Sequence, residues 1–290
     1  MQENKEIQAL FKLIDDPDEV VFETVSNKII SLGKDIIPNL EHYSETAIEN
    51  DLQEKIGTLI QRLQFEDVKE DFKKWGDGKP DLLAGVLLVA KYAHPTMNAT
   101  LIFKEIEKLR RNIWLEMNSY LTPMEQINVI GSIVYNYYKQ KGIEINYDNP
   151  DGFLLNKTLE LHQGNAFGNG TLLLILCGLL DVPVYAINIP KQFILGYFEQ
   201  HYDVLNPTGH ASEKIKFYID PVNGQMYSHK DVENYFKKMS LPPTSAFFRP
   251  FDNKSIIVML LAELKKCFDS NLTQRSKIKE IETLIEILVL

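Results

Sequence analysis

The stretch from Gly164 to Tyr197 constrains the fold of this 290-residue chain more than any other part of the sequence. It begins with a glycine-rich turn and continues into the apolar run Leu172–Leu180, which is typical of a buried helix. Short segments rich in β-branched and aromatic residues then predict three antiparallel strands, at Val184–Asn188, Phe193–Phe198 and Lys216–Asp220. A buried helix followed by a small antiparallel sheet predicts an α+β core.

The rest of the sequence is predominantly helical. Residues 1–75 show helical spacing of apolar residues throughout, and Gly33 is expected to end the second helix. In the turn before that helix, Asp16 is predicted to be the N-cap and Pro17 to occupy the first helical position. Further helices are predicted at 81–93, 99–117, 125–139, 156–161, 230–238, 256–268 and 276–288.

The composition is that of a soluble globular protein, with 44% hydrophobic and 24% charged residues. A net charge of −9 without a basic stripe disfavours nucleic acid as a partner. The longest apolar runs, 82–90 and 172–180, are much shorter than the roughly 20 residues that span a bilayer, so no membrane partner is expected.

The N-terminal residues lack the pattern of a signal peptide, and the two cysteines form no disulfide framework, so a cytoplasmic location is expected. The six histidines show no metal-binding spacing. Neither a metal nor another cofactor is therefore expected.

Seven stretches, in the same order and at similar spacing, resemble the SirB group of bacterial transglutaminase-like proteins. They are 81–90, 147–150, 153–156, 164–165, 180–190, 193–195 and 217–224. The resemblance extends from about residue 78 to the C-terminus and implies a transglutaminase-like core, in which a buried helix packs on a small antiparallel sheet. It also implies that residues 254–290 form a tetratricopeptide-like helix pair. Separately, residues 13–40 resemble a single HEAT-type helical repeat.

Three regions are therefore expected in an α+β, predominantly helical protein. A HEAT-like helical segment occupies 1–75, the transglutaminase-like domain 76–250 and the tetratricopeptide-like helix pair 251–290. The first boundary lies in the stretch 75–80, which is rich in glycine and closed by proline.

In active members of the family, a cysteine at the start of the buried helix is the nucleophile, a histidine transfers the proton and an aspartate orients the histidine. The family pattern places these roles at Ala166, Gln192 and Asp220. A methyl group is no nucleophile, and a carboxamide cannot accept a proton near neutral pH. The resemblance therefore implies a degenerate triad, in which only Asp220 has the required residue type.

These replacements favour a catalytically inactive protein that acts as a binding or scaffold module for an unknown protein or peptide. Its cleft would be lined by six residues around the degenerate triad: Gly164, Asn165, Gly168, Asn169, Gln192 and Asp220. One alternative is an amide hydrolase or acyl transferase with a rearranged site. There, Asp220 and a histidine would converge on a Ser, Thr or Cys, the histidine being His162, His201 or His210. Another alternative is a sensor of a small anionic ligand, which free N–H groups at the glycine-rich helix start would bind.

The same residues also have structural interpretations. Asp220-Pro221 is typical of an Asx turn at the end of a strand. Cys177 and Cys267 lie in apolar helical contexts and are expected to be buried structural thiols. The glycines that follow Gly164 would allow close approach between the helix and the sheet.

Overall fold

A computed structural model of the chain describes residues 2–200, 202–203, 210–269 and 274–289. The chain divides into two compact units, Met1–Lys74 and Trp75–Leu290. In the described part of the chain, no helix has both the length and the hydrophobicity needed to cross a lipid bilayer.

The first unit is built from helices, as the sequence predicts. These are α1 Gln2–Lys12, α2 Glu19–Ser31, α3 Ile37–Thr46 and the part of α4 Asn50–Asp77 up to Lys74, with a 3-10 turn at Lys34–Ile36. Gly33 has a positive φ of 78°, a conformation that glycine adopts without steric cost, and the chain leaves α2 there. The helices enclose an apolar core of Phe11, Ile14, Val25, Ile29, Ile36, Leu40, Leu52, Ile56, Leu59 and Leu63.

The N-cap of α2 is Asp18, so the prediction that Asp16 caps this helix is wrong. The Asp18 carboxylate accepts the N–H of Val20 at 2.9 Å, and α2 starts at Glu19. Asp16 instead accepts the N–H of Asp18 at 2.9 Å, which makes an Asx turn around Pro17. Pro17 therefore lies in the turn and not at the first helical position.

The second unit contains nine further helices in its described residues. They are α5 Leu82–Ala93, α6 Ala99–Glu116, α7 Pro123–Gly131, α8 Leu155–Glu160, α9 Ala166–Leu179, α10 Ala211–Lys214, α11 His229–Lys238, α12 Asn253–Lys266 and α13 Arg275–Val289. A π-helical segment, Ser132–Tyr137, continues α7, and 3-10 turns lie at Pro150–Phe153 and Ser245–Phe248.

The main sheet is antiparallel, with strand order β3-β4-β5-β6. Its strands are β3 Val184–Ile189, β4 Gln192–Phe198, β5 Ile215–Ile219 and β6 Met226–Tyr227. The three strands that the sequence predicts are confirmed, and β6 is an addition. Two short strands, β1 Lys141–Gly142 and β2 Gln163–Gly164, form a separate parallel pair.

Helix α9 is the centre of the second unit. Its residues from Phe167 to Cys177 are buried. The helix packs against strands β3 and β4 and against helices α5, α6 and α8. A helix that is apolar all round belongs in a core, and the sequence of α9 has that character. The predicted α+β, predominantly helical fold is confirmed.

The C-terminal helices α12 and α13 pack against each other, and α12 also packs against α5. An ion pair between Lys265 and Glu282, 3.2 Å apart, connects the two helices. A helix pair at the predicted place is therefore present, whereas its tetratricopeptide-like character stays a prediction.

Candidate functional site

Ala166 is the first residue of α9, and Asn165 caps the helix. The Asn165 Oδ1 accepts the N–H groups of Phe167 at 2.9 Å and Gly168 at 3.1 Å. The N–H of Asn169 donates to the Asn165 carbonyl at 2.9 Å. Three N–H groups of the first turn thus have partners within the protein. Few free N–H groups therefore remain to bind an anion at this helix N-terminus.

Gln192 is the first residue of β4, and its side chain is exposed. It pairs with Ile189 across the tight turn that joins β3 to β4, in which Lys191 has a positive φ of 60°. The next residue, Phe193, stacks on Phe167 of α9 with ring centroids 4.7 Å apart. This contact brings the start of β4 to the start of α9.

Asp220 directly follows β5 and is partly buried. Its Oδ1 accepts the N–H of Val222 at 2.8 Å, so the predicted Asx turn is confirmed. Gly224, with a positive φ of 75°, closes the turn by donating its N–H to the Asp220 carbonyl at 2.8 Å.

The strand register places Gln192 and Asp220 at the same edge of the sheet. Leu195 of β4 lies opposite Ile219 of β5, and because these strands are antiparallel, the start of β4 adjoins the end of β5. Gly170 of α9 faces both Phe193 and Pro221, each of which is adjacent in sequence to one of these positions. The start of β4 and the end of β5 therefore both lie near the first turns of α9.

Tyr135 of the π-helical segment stabilises the turn that follows β5. Its hydroxyl donates to the carbonyl of Pro221 at 2.6 Å. Burial, reinforced by the negative charge of Asp220, raises the pKa of Tyr135, so the phenol remains a hydrogen-bond donor.

Three glycines at or near the start of α9 are sites of close packing. A Cβ on Gly170 would lie 2.3 Å from the Phe193 ring, so this glycine lets the helix approach the sheet as predicted. Gly168 instead faces the carbonyl oxygen of Gly152 and the hydroxyl of Thr158. A Cβ on Gly164 would lie 2.6 Å from the Asn169 side chain.

A buried polar cluster next to the helix start was not predicted from the sequence. Gln140, which is 5% exposed, donates from Nε2 to the Oδ1 of Asn169 at 2.9 Å and to the carbonyl of Thr158 at 3.3 Å. The Nδ2 of Asn169 in turn donates to the carbonyl of Lys141 at 3.2 Å. Asn165 and Asn169 are each 1% exposed, so both predicted cleft residues act inside the protein rather than on its surface.

Neither cysteine offers a replacement nucleophile at this edge. Cys177 lies about three helical turns further along α9, is 2% exposed, and burial raises the pKa of its thiol to about 12. Cys267 in the C-terminal helix pair is 9% exposed, and burial followed by the charge of Glu263 raises its pKa to about 11. Both expectations of a buried thiol agree with this placement.

We therefore expect the native protein to react slowly with thiol reagents. At pH 8 a thiol of pKa about 12 is ionised to only about one part in ten thousand, against about a quarter for a free cysteine. The protein is labelled with iodoacetamide and analysed by intact-protein mass spectrometry. In the time that a cysteine-containing model peptide needs to react completely, the native protein should gain almost no adduct. The denatured protein should gain two. Fast labelling of Cys177 in the native state would contradict this burial.

The predicted histidines do not form a rearranged site among the described residues. His162 is exposed with a positive φ of 49° at the end of α8, and His210 is exposed before α10. His201 lies outside the described residues. The histidine rings with described hydrogen bonds contact Asn156, Tyr218 and the carbonyl of Ile215, none of which is a Ser, Thr or Cys. Within the described ranges there is also no cluster of metal-ligating side chains.

A small cavity of about 110 Å³ lies beside the start of α9. Asn165 lines it, whereas Ala166, Gln192 and Asp220 do not. Its other lining residues are Ile143, Glu144, Asn146, Asn149, Asp151, Gly152, Leu161 and Gln163. The lining therefore carries two carboxylates and no basic side chain.

Comparison with known families gives one match. The sequence profile of the transglutaminase-like superfamily matches residues 101–262, which is more than half of the chain. This range includes α9, the main sheet, Ala166, Gln192 and Asp220. No curated protein and no solved structure matches the chain.

Proposed function

Since this chain belongs to the transglutaminase-like superfamily, we propose that it is a catalytically inactive member that binds a protein or peptide. The binding surface is the edge at which the start of α9, the start of β4 and the end of β5 meet, together with the small cavity beside the start of α9. The finer assignment to the SirB group, which rests on the sequence resemblance, forms part of the same proposal.

The observation that carries the proposal is the chemistry of this edge. The family fold is retained around Ala166, yet the first residue of α9 presents a methyl group where a thiolate would gain from the helix dipole. Gln192 presents an exposed carboxamide at the start of β4. A carboxamide both donates and accepts hydrogen bonds, so this edge is suited to binding a polypeptide and lacks groups for attack and proton transfer.

The small cavity beside α9 indicates the chemistry of the partner. Glu144 and Asp151 line it, none of its other lining residues is basic, and its volume of about 110 Å³ holds one side chain rather than a whole ligand. A lysine or arginine of the partner fits both features, because an ammonium or guanidinium would pair with these carboxylates. We therefore propose a partner segment that carries a basic residue.

The helices of the first unit and the pair α12 and α13 offer further binding surfaces in this proposal. If the first unit is HEAT-like and α12 with α13 is tetratricopeptide-like, both present helix surfaces of the kind that repeat proteins use for docking. They would extend the contact beyond a short peptide.

Selection from a random peptide library, with affinities measured by fluorescence anisotropy, tests the binding. We expect enriched peptides to contain Lys or Arg, and Glu144→Gln and Asp151→Asn each to weaken binding about threefold to tenfold. Glu116→Gln, an exposed charge neutralisation on α6, is the matched control and should leave the affinity unchanged. The proposed surface would be refuted if the selected peptides lacked basic residues. It would also be refuted if neither substitution changed the affinity.

An activity assay addresses the enzyme alternative. We expect the wild type to show neither amide hydrolysis nor transfer of an acyl group to an amine. Turnover that Cys177→Ala abolishes would instead support a rearranged enzyme. The anion sensor receives no support from the helix start, because the N–H groups of Phe167 and Gly168 already bind Asn165.

A further inference from the structure

A cavity of the second unit lies away from Ala166, Gln192 and Asp220. It has a volume of about 460 Å³, within the range of small-molecule sites, and it lies between the loop before α6, α6 itself and α8. Its lining residues are His94, Thr96, Met97, Asn98, Leu101, Ile102, Lys104, Glu105, Asn156, Lys157, Leu159 and Glu160. Helix α8 separates it from α9, because Thr158 faces Gly164 and Gly168 while its neighbours on α8 face the cavity.

A polar pair is placed in the wall of this cavity. Asn156 and His94 contact each other through Nδ2 and Nδ1 at 3.1 Å. The amide nitrogen can only donate, so the Nδ1 of His94 accepts and the ring proton is on Nε2. The Oδ1 of Asn156 is buried and has no hydrogen-bond partner among the described residues.

This pair offers one hydrogen-bond donor to a ligand. Because Nδ1 accepts from Asn156, the Nε2–H of His94 is available to donate to a carbonyl oxygen, and it has no other partner among the described residues. The Oδ1 of Asn156 has almost no accessible surface, so Asn156 orients the His94 ring rather than contacting a ligand. The carbonyl oxygen of an amide satisfies the His94 donor.

Three of the four charged residues of the lining form ion pairs. Lys157 contacts Glu160 at 2.7 Å, and Glu105 contacts Lys108 at 3.4 Å. Lys104 is exposed at the cavity and has no described ion pair. A ligand carboxylate would therefore find one uncompensated cation here. Met97, Leu101, Ile102 and Leu159 form an apolar part of the wall, and Thr96 and Asn98 complete the lining.

We propose that this cavity binds an acylamino acid unit, that is, an amide bonded to an apolar residue that ends in a carboxylate. The amide carbonyl accepts the Nε2–H of His94, the apolar side chain lies against the Met, Leu and Ile wall, and the carboxylate faces Lys104. The unit can come from a free N-acyl amino acid or from the C-terminal residue of a peptide. This site is independent of the peptide-binding edge proposed above.

Calorimetric titration of the full chain with four probes tests this ligand class. We expect N-acetyl-leucine to bind with a Kd of about 1 mM or tighter, N-acetyl-leucinamide about threefold more weakly because it lacks the carboxylate, and leucine, which lacks the amide, not to bind measurably. A tripeptide that ends in leucine identifies the source: tighter binding than N-acetyl-leucine assigns a peptide terminus, and weaker binding assigns a free acylamino acid.

Three variants locate the site. Lys104→Ala should weaken N-acetyl-leucine about threefold and leave N-acetyl-leucinamide unchanged, whereas Arg111→Ala, the same charge change further along α6, should affect neither. His94→Ala, which removes the donor to the ligand carbonyl, should weaken both probes about tenfold. Leu101→Trp, at a position that is 59% exposed, should fill the mouth of the cavity and abolish binding in a folded protein.

Two results would overturn the proposal. One is the absence of heat and of chemical-shift changes in the Asn156 side-chain amide at about 10 mM N-acetyl-leucine. The other is binding that persists unchanged in Leu101→Trp, with circular dichroism showing a folded chain. Neither result depends on the edge formed by α9, β4 and β5.

Discussion

Gly168→Ala is expected to destabilise the second unit by about 2–4 kcal/mol and to lower the midpoint of thermal unfolding by roughly 5–15 °C. The added methyl would lie 2.3 Å from the carbonyl oxygen of Gly152 and 2.6 Å from the hydroxyl oxygen of Thr158. Real Cβ atoms do not approach a backbone oxygen so closely, so either α9 or the segment around Gly152 must move.

Such movement is costly because both neighbours are held in place. The Gly152 carbonyl accepts the N–H of Asn165 at 3.0 Å, so displacing it weakens the contact that positions the N-cap of α9. Thr158 is β-branched, lies in a helix and is 0% exposed, which leaves its side chain few alternative rotamers. Loss of this arrangement would also disturb the start of α9.

Gly178→Ala is the matched control in the same helix. A Cβ there meets no atom within 4 Å, so the substitution should stabilise by about 0.5–1 kcal/mol through helix propensity alone. Differential scanning calorimetry of the two variants and the wild type makes the comparison. Equal effects, or a stable Gly168→Ala variant, would show that α9 does not pack against Gly152 as described.

The fold was largely predictable because its strongest signals are local. β-Branched and aromatic residues are concentrated at 184–188, 193–198 and 216–220, and the structure places a strand on each. The apolar run after Gly170 has no polar face, which only a buried helix tolerates. Gly33 ends α2 because its backbone adopts a positive φ, which glycine tolerates without steric cost.

The parts that sequence reasoning missed depend on tertiary contacts or on competition between similar residues. Gln140 and Asn169 are 29 positions apart in the sequence, and His94 and Asn156 are 62 positions apart. No local sequence pattern therefore predicts either contact. At the first turn, Asp16 and Asp18 are both good N-caps, and the choice between them depends on where the helix begins.

Reconstruction of a thiol at the start of α9 is the second prediction with a large effect. We expect Ala166→Cys to create a cysteine that iodoacetamide labels at least about a thousandfold faster than Cys177 at pH 8. Position 166 is partly exposed and lies at the positive end of a 14-residue helix, whereas Cys177 is buried with a pKa of about 12. The native thiols need not be removed, since their slow reaction provides the baseline.

The double variant Ala166→Cys, Gln192→His then tests whether the two positions face each other. An imidazolium beside the thiol would stabilise the thiolate, so the midpoint of the labelling rate should move to lower pH by at least about one pH unit relative to Ala166→Cys alone. The controls are Ala166→Ser, which should fold without fast labelling, and Ala166→Cys with Lys230→His, an exposed site on α11 that should leave the midpoint unchanged. If Gln192→His moves the midpoint no more than the α11 control does, positions 166 and 192 do not correspond to a thiol and its base, and the degenerate-triad interpretation is wrong. A shifted midpoint would mean that the family geometry survives in this chain and that two side-chain replacements account for the missing chemistry.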